Sequence, residues 1–329
     1  MNLIKSILIF ILACLNVSAV IAVKVPFDVY PPNDGTKSYY VKGENGVKIF
    51  VDEKGDPTKT TILFSNAFLH SRTTWDPQWF DPELNKKFHL VRYDYRGLGR
   101  SDKPDNENSY SYDINGEDLS AVIRKISSKK KKKIVLVGWS LGIPITLTFM
   151  KNHPDMKIDG FIAVCGPVND TIINLVDPPL SNIIKKSYDK VFLGIDEFMK
   201  LFPFKPFSDE LHAYLLGNAF TSTSGYRKTV TSKYYFILLL FFFKKKEREI
   251  IFCFFLEPFN LDEFYSSLTI PTLHIIGEKD ALLIMEHSLY FASLKKNSKT
   301  IIYKNIGHSP SWENTKEFNK DMMKYVSNI

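Results

Sequence analysis

The chain has 329 residues, of which 44% are apolar and 24% charged, and a formal charge of +7. These values exclude a disordered chain, a collagen-like repeat and a small disulfide scaffold: three cysteines cannot staple a protein of this length, so stability has to come from a hydrophobic core. The charge is local, because Lys5 and the stretch 233–255 supply four of the seven, and the run Lys129–Lys133 reads as a solvated connection between two elements. No nucleic-acid surface is implied.

At the amino end, Lys5 precedes an apolar run from Ile7 to Leu15 and then Val17-Ser18-Ala19 and Val20-Ile21-Ala22. That is the three-region pattern of a secretory signal peptide, and it predicts a leader over 1–22, cleaved after Ala19 or Ala22, and a secreted protein. The rival reading is an uncleaved membrane anchor from Ile4 to Val23. Cys14 leaves with the leader, and Asn169-Asp170-Thr171 then reads as a glycosylation acceptor.

Tyr39–Val41 and Val47–Val51 are β-rich runs joined by Gly43-Glu44-Asn45-Gly46, which predicts an antiparallel hairpin. From Thr60 onward, short apolar runs alternate with helix-length segments: Thr60–Phe64, His89–Tyr93, Ile134–Val137, Phe161–Cys165, Thr272–Ile276 and Thr300–Tyr303. Such runs are buried parallel strands. Leu119, Val122, Ile123 and Ile126 share one helical face, as do Phe318, Met322 and Tyr325 in a helix predicted over Glu313–Val326.

The expected fold is therefore a mostly parallel, doubly wound, eight-stranded α/β sheet with its core over 37–166 and 269–329. About a hundred residues separate the sixth strand from the seventh. Their helical spacing near Pro179–Phe220 predicts a helical cap over 167–268, placed where open α/β sheets bind ligands. Within it, 233–255 holds seven of the 26 phenylalanines beside a Lys-Lys-Lys-Glu-Arg-Glu run, with no amphipathic period. Homopolymeric Phe and Lys are what T-runs and A-runs encode, so a translated intron ranks first, ahead of a membrane-touching lid or a short bilayer hairpin. Membrane contact is expected only if the leader is retained or this segment is a real lid.

The strongest chemical signal is Gly138-Trp139-Ser140-Leu141-Gly142, which follows the Ile134–Val137 strand and opens a helix-compatible run. A serine on a tight strand-to-helix turn projects its hydroxyl outward, and side chains at Gly138 and Gly142 would collide with the backbone that forces it there. A serine hydroxyl needs a histidine as base and a carboxylate to orient that histidine. Asp280, in Gly277-Glu278-Lys279-Asp280, and His308, in Gly307-His308-Ser309, both follow late strands and supply the order serine, acid, histidine. Glu278, next to the strand-ending glycine, reads as a surface or salt-bridging group. His70, His89, His153, His212, His274 and His287 lack a late Gly-His turn, and His274 reads as a core residue of its strand. Oxyanion donors are expected from the backbone N–H of Leu141 and of Phe68 in Ser65-Asn66-Ala67-Phe68.

With these residues in place the chain resembles the α/β-hydrolase superfamily over roughly 37–327, in the branch of small-molecule esterases, lactonases and haloperoxidase-like enzymes. The resemblance includes Asp94-Tyr95-Arg96-Gly97-Leu98-Gly99-Arg100-Ser101, a D-x-R-G-x-G-x-S segment in which Asp94 and Arg96 fix a loop. The elbow has the form found in carboxylesterases, and Ser65-Asn66 is similar to 3-oxoadipate enol-lactonases, whereas many relatives carry His-Gly where this chain has Asn66-Ala67. The resemblance implies hydrolysis of a small carboxylic ester or lactone through an acyl-enzyme on Ser140, without metal, dinucleotide or other cofactor. Serine at the elbow excludes the alkyl-ester route of epoxide hydrolases and dehalogenases, which need an aspartate there. The alternatives are a non-catalytic ligand-binding protein, a cofactor-free perhydrolase, or an aminopeptidase using Glu197 and Glu210 to hold the substrate amine.

Overall fold

Runs rich in Val, Ile, Leu and aromatic residues leave no polar face to turn toward water, so each becomes a strand covered on both sides. The computed structural model describes residues 34–104, 106, 109–127, 132–169, 196, 199–220 and 259–329. The predicted leader over 1–22 and the stretch 233–255 lie outside them.

Strands β1 (Lys37–Lys42) and β2 (Lys48–Gly55) form the predicted hairpin through a short turn in which Asn45 and Gly46 both take positive φ. Strands β3 (Thr61–Ser65), β4 (His89–Tyr93), β5 (Ile134–Trp139), β6 (Gly160–Val164) and β7 (Thr272–Gly277) are buried at every position. Strand β8 (Lys299–Tyr303) closes the far edge and buries only Tyr303. The sheet order is β1-β2-β4-β3-β5-β6-β7-β8, with β2 antiparallel to both its neighbours and every other pairing parallel. The expected eight-stranded, mostly parallel sheet is the one observed.

Among the described residues the helices are α1 (Asp76–Trp79), α2 (Pro82–Lys87), α3 (Tyr112–Ser127), α4 (Gly142–Asn152), α5 (Asp209–Phe220), α6 (Asp262–Ser267), α7 (Met285–Ser293), α8 (Pro310–Glu313) and α9 (Thr315–Val326). Leu119, Val122, Ile123 and Ile126 of α3 are buried, as are Phe318, Met322 and Tyr325 of α9. The last helix departs from its expected span. Asn314, at φ −138° and ψ 47°, interrupts it, and Glu313 ends α8 with its carboxylate turned to another task.

The loops at the carboxyl edge of the sheet are fastened by buried charge. Arg72 donates to Asp52 and Asp94, both at 2.7 Å, and Arg96 to Asp118 at 2.7 Å, while buried Arg92 reaches the partly exposed Asp76 at 2.6 Å. Asp94 also accepts the backbone N–H groups of Arg72 and Arg100, and a Cβ on Gly99 would lie 2.2 Å from its carboxylate. Removing one partner of such a buried pair strands the other charge, at about 3–5 kcal/mol.

Asn169 is one residue whose reading changes. It is 3% exposed, bridges to Asn260, and donates its amide nitrogen to both carboxylate oxygens of Asp262 at 2.9 Å. A glycan on that nitrogen would break the pair and bury a sugar, so the folded chain does not present the acceptor that the sequence suggests. Among the described residues no helix is long and apolar enough to cross a membrane.

Candidate active site

Residues Gly138 to Gly142 turn the chain sharply from β5 into α4. Ser140 sits at φ 53°, an unusual left-handed value for a non-glycine residue, held by its N–H to the Val164 carbonyl (2.9 Å) and by its carbonyl to the Ile143 N–H (3.0 Å). A Cβ on Gly138 would lie 2.8 Å from the Gly142 carbonyl oxygen, and one on Gly142 would lie 2.6 Å from that of Ser65. The second approach brings the end of β3, and with it the loop carrying Phe68, against the elbow. Leu141 is the residue before α4, at the helix end where backbone N–H groups lack intrahelical acceptors.

Asp280 follows β7 in a tight turn. Its Oδ1 accepts the N–H groups of Leu282 (2.9 Å) and Leu283 (2.8 Å), which leaves Oδ2 for His308 Nδ1 at 2.6 Å. Both residues are buried. With a carboxylate at Nδ1, the proton belongs on that nitrogen and Nε2 carries the lone pair, as a general base requires. Nε2 is buried without a hydrogen-bond partner, and no bond joins it to Ser140 Oγ. Unliganded catalytic contacts are often long and tighten only around substrate.

The His308 loop is built by groups far away in sequence. Trp139, next to the elbow serine, donates its indole N–H to the His308 carbonyl at 2.7 Å, and the His308 N–H reaches the Phe202 carbonyl at 2.6 Å. Glu313 accepts the N–H groups of Gly307 (3.0 Å), Ser309 (3.3 Å) and Phe204 (2.8 Å). One carboxylate thus ties both neighbours of His308 to the strap 202–204, and burial pushes its pKa up. Gly307 has to be glycine, since a Cβ there would lie 2.5 Å from the Phe204 nitrogen.

Phe202 covers this end of the sheet. Its ring centroid lies 5.1 Å from that of His308, 4.7 Å from that of His70 and 5.7 Å from that of Trp139. His70 is fully buried, donates Nδ1–H to the Phe68 carbonyl at 2.8 Å, and has no partner for Nε2. Burial, helped by the nearby His308, pushes its pKa down to about 4, so the ring is neutral at physiological pH.

Behind the Asp–His pair lies Cys165, a buried free thiol at φ 41° whose pKa is raised by burial and by the charge of Asp280. Ligand atoms of Cys165, Asp280 and His308 all lie within 4.8 Å of one another, a donor set that zinc accepts. An ion there would have to break the 2.6 Å Asp280–His308 bond and deprotonate a thiol that burial keeps protonated, so the cluster is suited to holding an imidazole.

The sequence-derived residues therefore converge in part. Asp280 and His308 are bonded, and Trp139 links the elbow of Ser140 and Leu141 to the His308 loop. Phe68 lies in the neighbouring loop, braced by Asn66, whose amide donates to the Tyr93 carbonyl and accepts from Trp75 Nε1. Trp75 and Trp139 fill the core. Glu278 pairs with Lys279 and accepts the Asn305 N–H, and His274 is buried against Tyr265, whose hydroxyl is hydrogen-bonded to its Nε2 at 2.6 Å. Glu197 and the side chain of Glu210 lie outside the described residues. Sequence reasoning missed His70, Cys165, Phe202 and Glu313. None belongs to a local motif, though Glu313, five residues beyond the predicted base, could have been tested as its brace.

A parallel sheet with a strained serine elbow after β5 and a buried acid–histidine pair after β7 and β8 defines a class, and comparison with known proteins agrees. Residues 60–315 match the α/β-hydrolase fold family, so the chain belongs to that family. It is 29% identical over 139 residues to "Probable oxidoreductase EphD" of Mycobacterium tuberculosis, a match covering 42% of this chain and 23% of that protein. The chain thus matches about a quarter of that relative's length. It is 23% identical to "AB hydrolase superfamily protein YisY" of Bacillus subtilis, over 85% of this chain and 96% of that protein. Among solved structures it is similar to a putative aryl esterase from Burkholderia cenocepacia, with a TM-score of 0.72 and 26% identity over 88% of this chain and 98% of that one. An esterase from Exiguobacterium antarcticum shares the fold at TM-score 0.70 and 17% identity, over 88% of this chain and all of that one.

Proposed function

We propose that the protein is a serine hydrolase that cleaves a small carboxylic ester or lactone. Ser140 attacks the carbonyl as His308 Nε2 takes its proton, Asp280 holds the resulting imidazolium, and the N–H groups of Phe68 and Leu141 receive the oxyanion. His308 then returns the proton to the leaving alkoxide, and water releases the acid by the same route. The observation carrying this reading is the buried 2.6 Å bond from His308 Nδ1 to Asp280, which fixes the tautomer whose free lone pair can serve the elbow serine. The esterase names of the Burkholderia and Exiguobacterium proteins support the same bond type.

A cap over 167–268 would shape access, with the strap 202–204, α5 and α6 among its described parts. The 1–22 leader would direct the chain to the secretory pathway. The test is pre-steady-state hydrolysis of nitrophenyl esters and simple lactones by the leaderless chain, with and without 233–255. A burst of nitrophenol and an acyl adduct on Ser140 by mass spectrometry are the expected results. Ligand binding with neither burst nor adduct would favour the non-catalytic reading, for which the unmade Ser140–His308 bond is the motivating observation.

A further inference from the structure

Two imidazoles meet beneath Phe202, and only one is absorbed by the chemistry above. His308 is the base. His70 is held by its own loop: Nδ1–H is committed to the Phe68 carbonyl, so Nε2 is an acceptor by elimination. That nitrogen is fully buried and unpartnered, like His308 Nε2, and both rings pack on Phe202. A buried acceptor left without a donor loses its water and gains nothing in return. His308 Nε2 has to be reached by any substrate that reacts, and Phe202 packs against both imidazoles, which places His70 Nε2 in the same apolar cluster as the base. Through the bond from Nδ1 to the Phe68 carbonyl, the His70 ring lies beside the residue whose N–H is the expected oxyanion donor.

Resting on the hydrolase reading, we infer that His70 is a specificity-determining residue whose Nε2 accepts a hydrogen bond from a hydroxyl carried by the substrate's acyl part near the scissile carbonyl. The substrate class is thereby narrowed to hydroxyacyl esters or hydroxylated lactones. A neutral imidazole suits this task, because an imidazolium would have no lone pair to offer, and His70 stays neutral through the physiological range. A site built to bond a substrate hydroxyl also discriminates strongly against the analogue lacking it, since the buried acceptor is then stranded.

The experiment compares kcat/KM for para-nitrophenyl butanoate and its α-hydroxy and β-hydroxy derivatives in the wild type, His70→Phe and His70→Gln, with melting curves as a folding check. The wild type is expected to prefer at least one hydroxy ester by about tenfold or more. His70→Phe should bring that ratio close to unity, and His70→Gln, which keeps an acceptor near the Nε2 position, should retain part of it. Equal rates on all three esters in the wild type would overturn the inference alone, as would a ratio unchanged in His70→Phe. If Phe202 cannot accommodate the Phe variant, the ratio in His70→Gln against His70→Ala carries the same decision. Hydrolysis of none of the esters, with Ser140 still reactive toward a fluorophosphonate, also counts against the inference, and an unreactive Ser140 overturns the hydrolase reading with it.

Discussion

The two halves of the candidate site are assembled in opposite ways. The serine half is largely local: β5, one turn and α4 carry Ser140 at its φ of 53°, two glycines admit the close backbone approaches around it, and its N–H is tied to the Val164 carbonyl of the neighbouring strand. The histidine half is assembled from a distance. His308 depends on Asp280, on Trp139 from the elbow, on Phe202 from the interval between β6 and β7 and on Glu313 from the next helix. A nucleophile needs one strained geometry, which backbone sterics can impose alone. A base has to be aimed, kept in one tautomer and released to substrate, which takes partners that answer to different parts of the fold.

That contrast can be broken first where the chemistry is. Ser140→Ala should lower ester hydrolysis by about 10^4-fold or more with little change in melting temperature, because the elbow backbone needs no serine side chain. Asp280→Asn should cost nearly as much, about 10^3–10^4-fold, because an amide can donate to Nδ1 and so favours the wrong tautomer. Retention of more than a tenth of wild-type kcat in either variant would remove that residue from the mechanism.

Smaller effects sharpen the comparison. Gly142→Ala should destabilise the fold by about 1–3 kcal/mol in urea unfolding, since its Cβ would press on the Ser65 carbonyl. Glu313→Gln should lower kcat about tenfold at nearly constant KM, because it loosens the His308 loop by roughly the 1.5–3 kcal/mol of a charged hydrogen bond without touching substrate. A larger change in KM than in kcat would mean that Glu313 acts on the pocket and not on the base.

A separate effect is on pH-dependent stability. His70 and His274 are pushed by burial from 6.5 down to about 4 and about 3. Between those values and 6.5 the unfolded chain takes up protons that the folded chain refuses. Their stabilising contribution is therefore complete above about pH 6.5 and declines on acidification, by up to about 1.4 kcal/mol per pH unit for each group. Unfolding free energies measured from about pH 7 to about pH 4 should fall with that slope, and His274→Phe should flatten it.

Legibility in the sequence follows the same division. The sheet was readable because buried parallel strands announce themselves as apolar runs, and the elbow because Gly-x-Ser-x-Gly constrains its own backbone. Asp280 and His308 were readable only from order and position after late strands. His70 lacks a late Gly-His turn, and nothing nearby marks it as sharing Phe202 with His308. Cys165, Phe202 and Glu313 act through contacts spanning up to a hundred residues or more, which no local pattern encodes. The break at Asn314 was likewise invisible, because the amphipathic period of α9 continues smoothly into Glu313.

The central claim is that the distant half activates the local half. Fluorophosphonate labelling of the folded protein without residues 1–22, read by intact mass beside Ser140→Ala and His308→Ala, tests it without knowledge of the substrate. A single adduct on the wild type that disappears in both variants is the predicted result. An adduct that survives in folded His308→Ala at an unchanged rate, or no adduct on the folded wild type, would contradict it.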